Sequence, residues 1–91
     1  MTNLSRELLI INKRGLHARA SAKFVQTVEK FDAQISVSKD GMTVGGTSIM
    51  GLMMLAASPG CTIEISASGT DAEAALNALS ELVEDRFGEE I

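Results

Sequence analysis

Gly15-Leu16-His17-Ala18-Arg19-Ala20-Ser21-Ala22 is where the chain changes period. Before it, Leu8, Leu9, Ile10 and Ile11 form an apolar run that predicts a first strand over Glu7 to Ile11, broken by Asn12-Lys13-Arg14-Gly15. After it, Ser21, Phe24, Val25, Val28 and Phe31 fall at i, i+3, i+4, i+7 and i+10. That is the buried stripe of a helix running from Ala18 to near Phe31, with Arg19, Lys23, Gln26, Glu29 and Lys30 largely on its other face. His17 or Leu16 then stands at the N-cap. The only histidine of the chain therefore sits where the first helical amides point outward, carrying about half a unit of positive dipole charge. The junction is an anion site by construction.

Outward from this junction the pattern continues to alternate. Asp32 to Ser38 sets Ala33, Ile35 and Val37 on one face and Gln34, Ser36 and Ser38 on the other, a half-buried strand. Asp40-Gly41 is a hairpin turn, with a partner strand over Met42 to Val44 and a sharp change of direction at Gly45-Gly46. Thr47 or Ser48 caps a second helix, Ile49 to Ala57, stopped by Ser58-Pro59-Gly60. Ile49, Leu52, Met53 and Ala56 make its stripe, and Met50 and Met54 fall beside it, partly exposed.

Cys61 to Ser68 alternates cleanly, with Cys61, Ile63, Ile65 and Ala67 inward. Thr70-Asp71-Ala72-Glu73 reads as a capping box, opening a third helix that turns Ala72, Ala75, Leu76, Leu79, Leu82, Val83 and Phe87 to the core. That helix stops at Gly88, and a frayed tail follows; Glu81, Glu84, Asp85, Glu89 and Glu90 read as a solvated face and tail. The order is β-α-β-β-α-β-α. One polar face per strand implies an antiparallel sheet with all three helices on its apolar side, a two-layer α+β sandwich formed by residues 1–91 as one domain.

Composition removes several classes of function. The net charge is −4, the eight Lys and Arg are scattered, and there is no Tyr or Trp, which argues against nucleic acid. One cysteine, Cys61, forms no internal disulfide and reads as an inert core residue; no Cys/His cluster or carboxylate spacing suggests a metal. No signal sequence or membrane-length apolar run is present, so a cytoplasmic protein is expected. No P-loop, no G-x-G-x-x-G and no supported catalytic triad occur, and no cofactor is implied. So short a chain also leaves little room for a deep substrate pocket. Any chemistry belongs at the surface, with another protein completing the site.

His17 suits such chemistry, because a neutral imidazole nitrogen is a competent nucleophile toward phosphorus. The backbone amides of Ala18 and Arg19, with the Arg19 guanidinium, would hold the transferred phosphoryl oxygens. By spacing alone, a lone histidine at a helix start is more often an ordinary cap residue, and Arg19 an ordinary solvated charge.

The stretch Gly15 to Ala22 resembles the histidine-site motif of the HPr family, the histidine-containing phosphocarriers of the bacterial phosphotransferase system. Thr47-Ser48-Ile49-Met50-Gly51-Leu52-Met53-Met54-Leu55 is similar to that family's second motif, built around a regulatory serine. The resemblance spans essentially the whole chain. It implies an open-faced sandwich with strand order 1-4-2-3. It also implies that His17 accepts a phosphoryl group on Nδ1 from phospho-enzyme I and passes it to enzyme IIA proteins, with Arg19 stabilising charge. The protein would then be a substrate of two transfers rather than a free-standing enzyme, working as a monomer.

By the same resemblance, Ser48 is the target of an HPr kinase/phosphorylase. Two departures stand out: Ala20 replaces a frequent Pro, and Thr47 a frequent basic residue. Ser48 is also a plain N-cap candidate. Leu16, Thr47, Met50, Leu52, Met53 and Met54 are the expected docking residues, methionine being suited to surfaces that meet several partners. An alternative is a regulatory binding module of the same fold, in a nitrogen-related branch, that signals by its phosphorylation state.

Overall fold

The computed structural model describes residues 3–89. Its elements are β1 (Asn3–Leu9), α1 (Ala18–Val28), β2 (Gln34–Lys39), β3 (Met42–Gly45), α2 (Ile49–Met54), β4 (Thr62–Ser68) and α3 (Ala72–Glu84). A tight turn over Arg86–Gly88 follows α3. The strands form one antiparallel sheet, as their polar faces imply, in the order β1-β4-β2-β3 that the family resemblance implies. Ile35, Val37, Ile63, Ile65 and Ala67 point to the helical layer and are buried with Phe24, Val25 and Val28 of α1 and Leu76, Leu79 and Val83 of α3. The β2–β3 hairpin turns at Asp40-Gly41, both at positive φ.

Several boundaries differ from the sequence reading, each for a local reason. The first strand starts at Asn3 rather than Glu7, because its pairing with β4 runs from Asn3 opposite Ser68 to Leu9 opposite Thr62. Of the apolar run, Leu8 and Ile10 are buried while Leu9 and Ile11 are exposed, so the run is an alternating strand and not a doubly buried one. Helix α1 ends at Val28, and Phe31 follows in a turn, half-buried. Helix α2 ends at Met54 rather than Ala57, since Ala56 takes a left-handed conformation (φ 53°). Of its expected stripe only Leu52 is buried.

Helix α3 begins without the expected capping box. Its N-cap is Asp71, whose carboxylate accepts instead from the Asp32 backbone N–H at 2.7 Å, tying the α1–β2 connection to the start of α3. Cys61 precedes β4 and is half-buried, with Sγ 3.5 Å from the Ser58 hydroxyl. Leu82 is only half-buried.

The largest departure is at the C-terminus. After Glu84, Arg86, Phe87 and Gly88 all take positive φ (55°, 54° and 77°). A left-handed non-glycine residue costs about 1–2 kcal/mol. The turn is held by Phe87, which is buried, and by the Lys23 ammonium donating to the Phe87 carbonyl at 2.7 Å. The chain is thereby bent back to the start of α1, and Glu89 is an ordered part of the fold. Residues 90 and 91, and with them the Glu90 reading, lie outside the described residues.

Candidate functional site

The strand-to-helix junction is built by backbone geometry. β-type pairing continues past β1 as Ile10 N–H donates to Cys61 O (2.8 Å) and Gly60 N–H to Ile10 O (2.9 Å). Gly15 takes φ +65° against the Ala57 carbonyl, where a Cβ would clash, so the glycine makes room for the chain's own backbone. Leu16 N–H donates to Ala57 O at 2.9 Å, which fastens the segment after α2 to the junction. His17 is the N-cap of α1 in an extended conformation, its carbonyl accepting from Ser21 N–H. The amides of Ala18, Arg19 and Ala20 have no helical carbonyl one turn behind them.

The ring of His17 is 20% exposed. Its Nε2 lies 3.0 Å from the Glu89 carboxylate. A carboxylate can only accept, so Nε2 carries the proton, and in the neutral ring the lone pair is on Nδ1. Among the described residues Nδ1 has no hydrogen-bond partner. Glu89 is itself held. The Asn12 amide donates to Oε2 at 2.7 Å, and the Arg14 backbone N–H reaches Oε1 at 3.4 Å. The Asn12 amide, then the His17 ring and the Arg14 N–H, keep the Glu89 carboxyl below the usual carboxylate range, against the opposing effect of partial burial. Asn12 is fully buried; its second N–H donates to Gly15 O at 2.8 Å, and its Oδ1 has no partner among the described residues.

Around the ring is a recess of about 50 Å³ lined by Arg14, His17, Arg19, Ala20, Lys23, Phe87, Gly88 and Glu89. Arg14, Arg19 and Lys23 meet there, so three cations that look scattered in the sequence share the wall of one small cavity. A wider depression, about 470 Å³, opens elsewhere, among Asn3, Ser5, Gln34, Ser36, Ser66 and Ser68 of the sheet; it involves none of these residues. That depression is open to solvent and lies at the sheet, not at the histidine.

Ser48 is the N-cap of α2, its Oγ accepting from Gly51 N–H at 2.9 Å. It does not line the His17 recess. The two motifs are joined through the packing of α1 on α2 and the Leu16–Ala57 hydrogen bond. Met50 (72% exposed), Met54 (65%) and Met53 (41%) lie open beside Thr47. Leu52 is fully buried and Leu16 nearly so, which removes both from the expected docking residues: they hold the surface up from beneath. Among the described residues no group of His, Cys, Asp or Glu is placed to bind a metal, and no helix is long and apolar enough to cross a membrane.

Asn12, Arg14, Lys23 and Glu89 were not legible as site residues. Only Asn12 left a signal: it is in phase with buried Leu8 and Ile10, and a polar residue on a core face needs a partner.

Residues 4–85 match the family described as "PTS HPr component phosphorylation site". The chain belongs to the HPr family. The phosphocarrier protein HPr of Xylella fastidiosa is 51% identical over 87 residues, covering 96% of this chain and 98% of that protein. A phosphocarrier protein NPr of Shewanella violacea is 42% identical over 89 residues, covering 98% of each. Among solved structures, an HPr from Thermoanaerobacter tengcongensis superposes with a TM-score of 0.87 at 49% identity and full coverage of both chains. The HPr fold and membership of the phosphotransferase system are thereby shown.

Proposed function

We propose that His17 carries the phosphoryl group on Nδ1, accepting it from phospho-enzyme I and passing it to enzyme IIA proteins. The observation that carries this reading is the Nε2–Glu89 contact, which leaves the Nδ1 lone pair for phosphorus. Arg19, with Arg14 and Lys23 beside it, neutralises charge as the phosphoryl group arrives. The amides of Ala18 and Arg19 hold its oxygens. The site is shallow and part-exposed, which suits a group that must be handed on. Thr47, Met50, Met53 and Met54 form the surface that partners meet, and the protein works as a cytoplasmic monomer.

Ser48 is the regulatory position in this reading. Its exposed hydroxyl caps α2, so a phosphate there would lie at a helix start and refold little. The added charge of about −1.5 to −2 would repel acidic partners. Phosphorylated Ser48 should slow transfer from enzyme I; an unchanged rate excludes this regulatory role. A second reading, a regulatory carrier of a nitrogen-related branch, draws on the NPr relative.

Incubation with phosphoenolpyruvate and enzyme I tests the carrier reading. It predicts acid-labile, base-stable phosphate on the wild-type protein and none on His17→Ala. Equal labelling of the two proteins refutes it.

A further inference from the structure

The phosphocarrier reading uses one nitrogen of His17 and leaves the other unexplained, together with a buried asparagine and a carboxylate brought back from the C-terminus. These three groups form one chain of contacts: Gly15 O to Asn12 Nδ2 (2.8 Å), Asn12 Nδ2 to Glu89 Oε2 (2.7 Å), and Glu89 Oε2 to His17 Nε2 (3.0 Å). The Asn12 amide cannot turn over, because a flipped amide would set Oδ1 against a carbonyl and a carboxylate, both acceptors. Its orientation leaves Oδ1 buried and, among the described residues, unpaired, a cost the fold retains. The left-handed turn at Arg86–Gly88, pinned by buried Phe87 and by Lys23, delivers Glu89 to this position.

We propose that Glu89, oriented by Asn12, is a positioning residue that keeps a proton on His17 Nε2 through both phosphoryl transfers. In acceptance, the Nδ1 lone pair forms the new N–P bond while the donor's bond to phosphorus breaks and its electron pair stays with the donor. The ring gains a positive charge, and the carboxylate on Nε2–H offsets it. In donation, the N–P bond breaks, its electrons return to Nδ1, and neutral imidazole leaves with the Nε2 proton in place. Without that proton the leaving group would be imidazolate, a far poorer one. No proton moves in either step. The same hydrogen bond fixes the ring, as an outer carboxylate does for other working histidines. Among the described residues, the other charged groups lining the recess are Arg14, Arg19 and Lys23, all cationic. Their charge opposes a proton on Nε2, so among the described residues Glu89 is the one side chain lining the recess whose charge favours it.

This inference rests on the carrier reading, but its first test does not. In 15N-labelled protein without phosphate, the His17 Nε2–H proton should be protected from solvent exchange and visible by NMR. Glu89→Ala should abolish that signal. Glu89→Gln, whose amide oxygen can still accept, should keep it. In the phosphorylated proteins, the alkaline decline in the rate of transfer to an enzyme IIA should begin about one pH unit lower for Glu89→Gln than for wild type. Thermal melts confirm that each variant is folded. An Nε2–H signal unchanged in Glu89→Ala, or a pH profile unchanged in Glu89→Gln, overturns the proposal. Failure of every protein to take up phosphate would instead refute the carrier reading, and the exchange measurement would still decide this one.

Discussion

Gly15 and Ala57 meet backbone to backbone. A Cβ on Gly15 would fall inside the contact distance of the Ala57 carbonyl oxygen and 3.0 Å from Ser58 Cα, while Gly15 itself holds φ +65°. This contact brings the end of the α2 segment against the start of α1, and the hydrogen bond from Leu16 N–H to Ala57 O secures it. Gly15→Ala therefore combines a left-handed penalty of about 1–2 kcal/mol with a forced separation of the two segments. Its melting temperature should fall by about 5 °C or more, and phosphoryl uptake should fall with it. A melt within a degree of wild type would mean that the junction adjusts freely.

Ala56 poses the reverse case. It ends α2 in the left-handed region (φ 53°), where a helix ordinarily places glycine. Ala56→Gly removes that strain and adds flexibility to the unfolded chain, for a net gain of about 0.5–1 kcal/mol. The expected result is a rise of a few degrees in melting temperature with unchanged phosphoryl uptake.

The legibility of this fold in its sequence followed the strength of the side-chain periodicity. Strands with plain alternation, such as Ile63-Ile65-Ala67, and the stripe Phe24-Val25-Val28 of α1, announced their buried faces correctly. The ends of elements were less legible where backbone conformation, not side-chain pattern, decides them: Ala56 and Arg86 both turn left-handed without being glycine. For the same reason Glu89 read as tail. Its place depends on the burial of Phe87 and on Lys23 reaching across from α1, contacts between residues 64 apart in the chain. His17 and Arg19 were legible because their motif is local; Asn12 and Glu89 were not, because they meet only in the fold.

Helix α2 separates support from surface. Leu52→Ala should destabilise the protein by about 2–5 kcal/mol, since it opens a cavity beneath the helix. Met50→Glu and Met54→Glu remove nothing from the core and should change stability by only about 0.5 kcal/mol. Each should nevertheless weaken binding to enzyme I roughly tenfold, about 1.4 kcal/mol, measurable by calorimetry. Unaltered affinity in both glutamate variants would place docking elsewhere.

Glu89 links stability to pH. Its folded value lies below its ordinary value of 4.5, chiefly through the Asn12 amide. The stabilisation it provides is complete above the unfolded value and is lost as pH falls through the lowered folded value. Melting temperatures of wild type and Glu89→Gln should therefore differ near pH 6 and converge as pH drops below about 4.5. A constant difference across that window would show that the carboxylate charge contributes nothing.

The central claim is that the phosphoryl group resides on Nδ1 of His17, the nitrogen left free by Glu89. The direct measurement is to phosphorylate 15N-labelled protein with enzyme I and phosphoenolpyruvate and to assign the phosphorus–nitrogen coupling by long-range NMR. Coupling of phosphorus to Nδ1, with the proton still on Nε2, is the predicted result. Coupling to Nε2, or phosphate on any other residue, would contradict it.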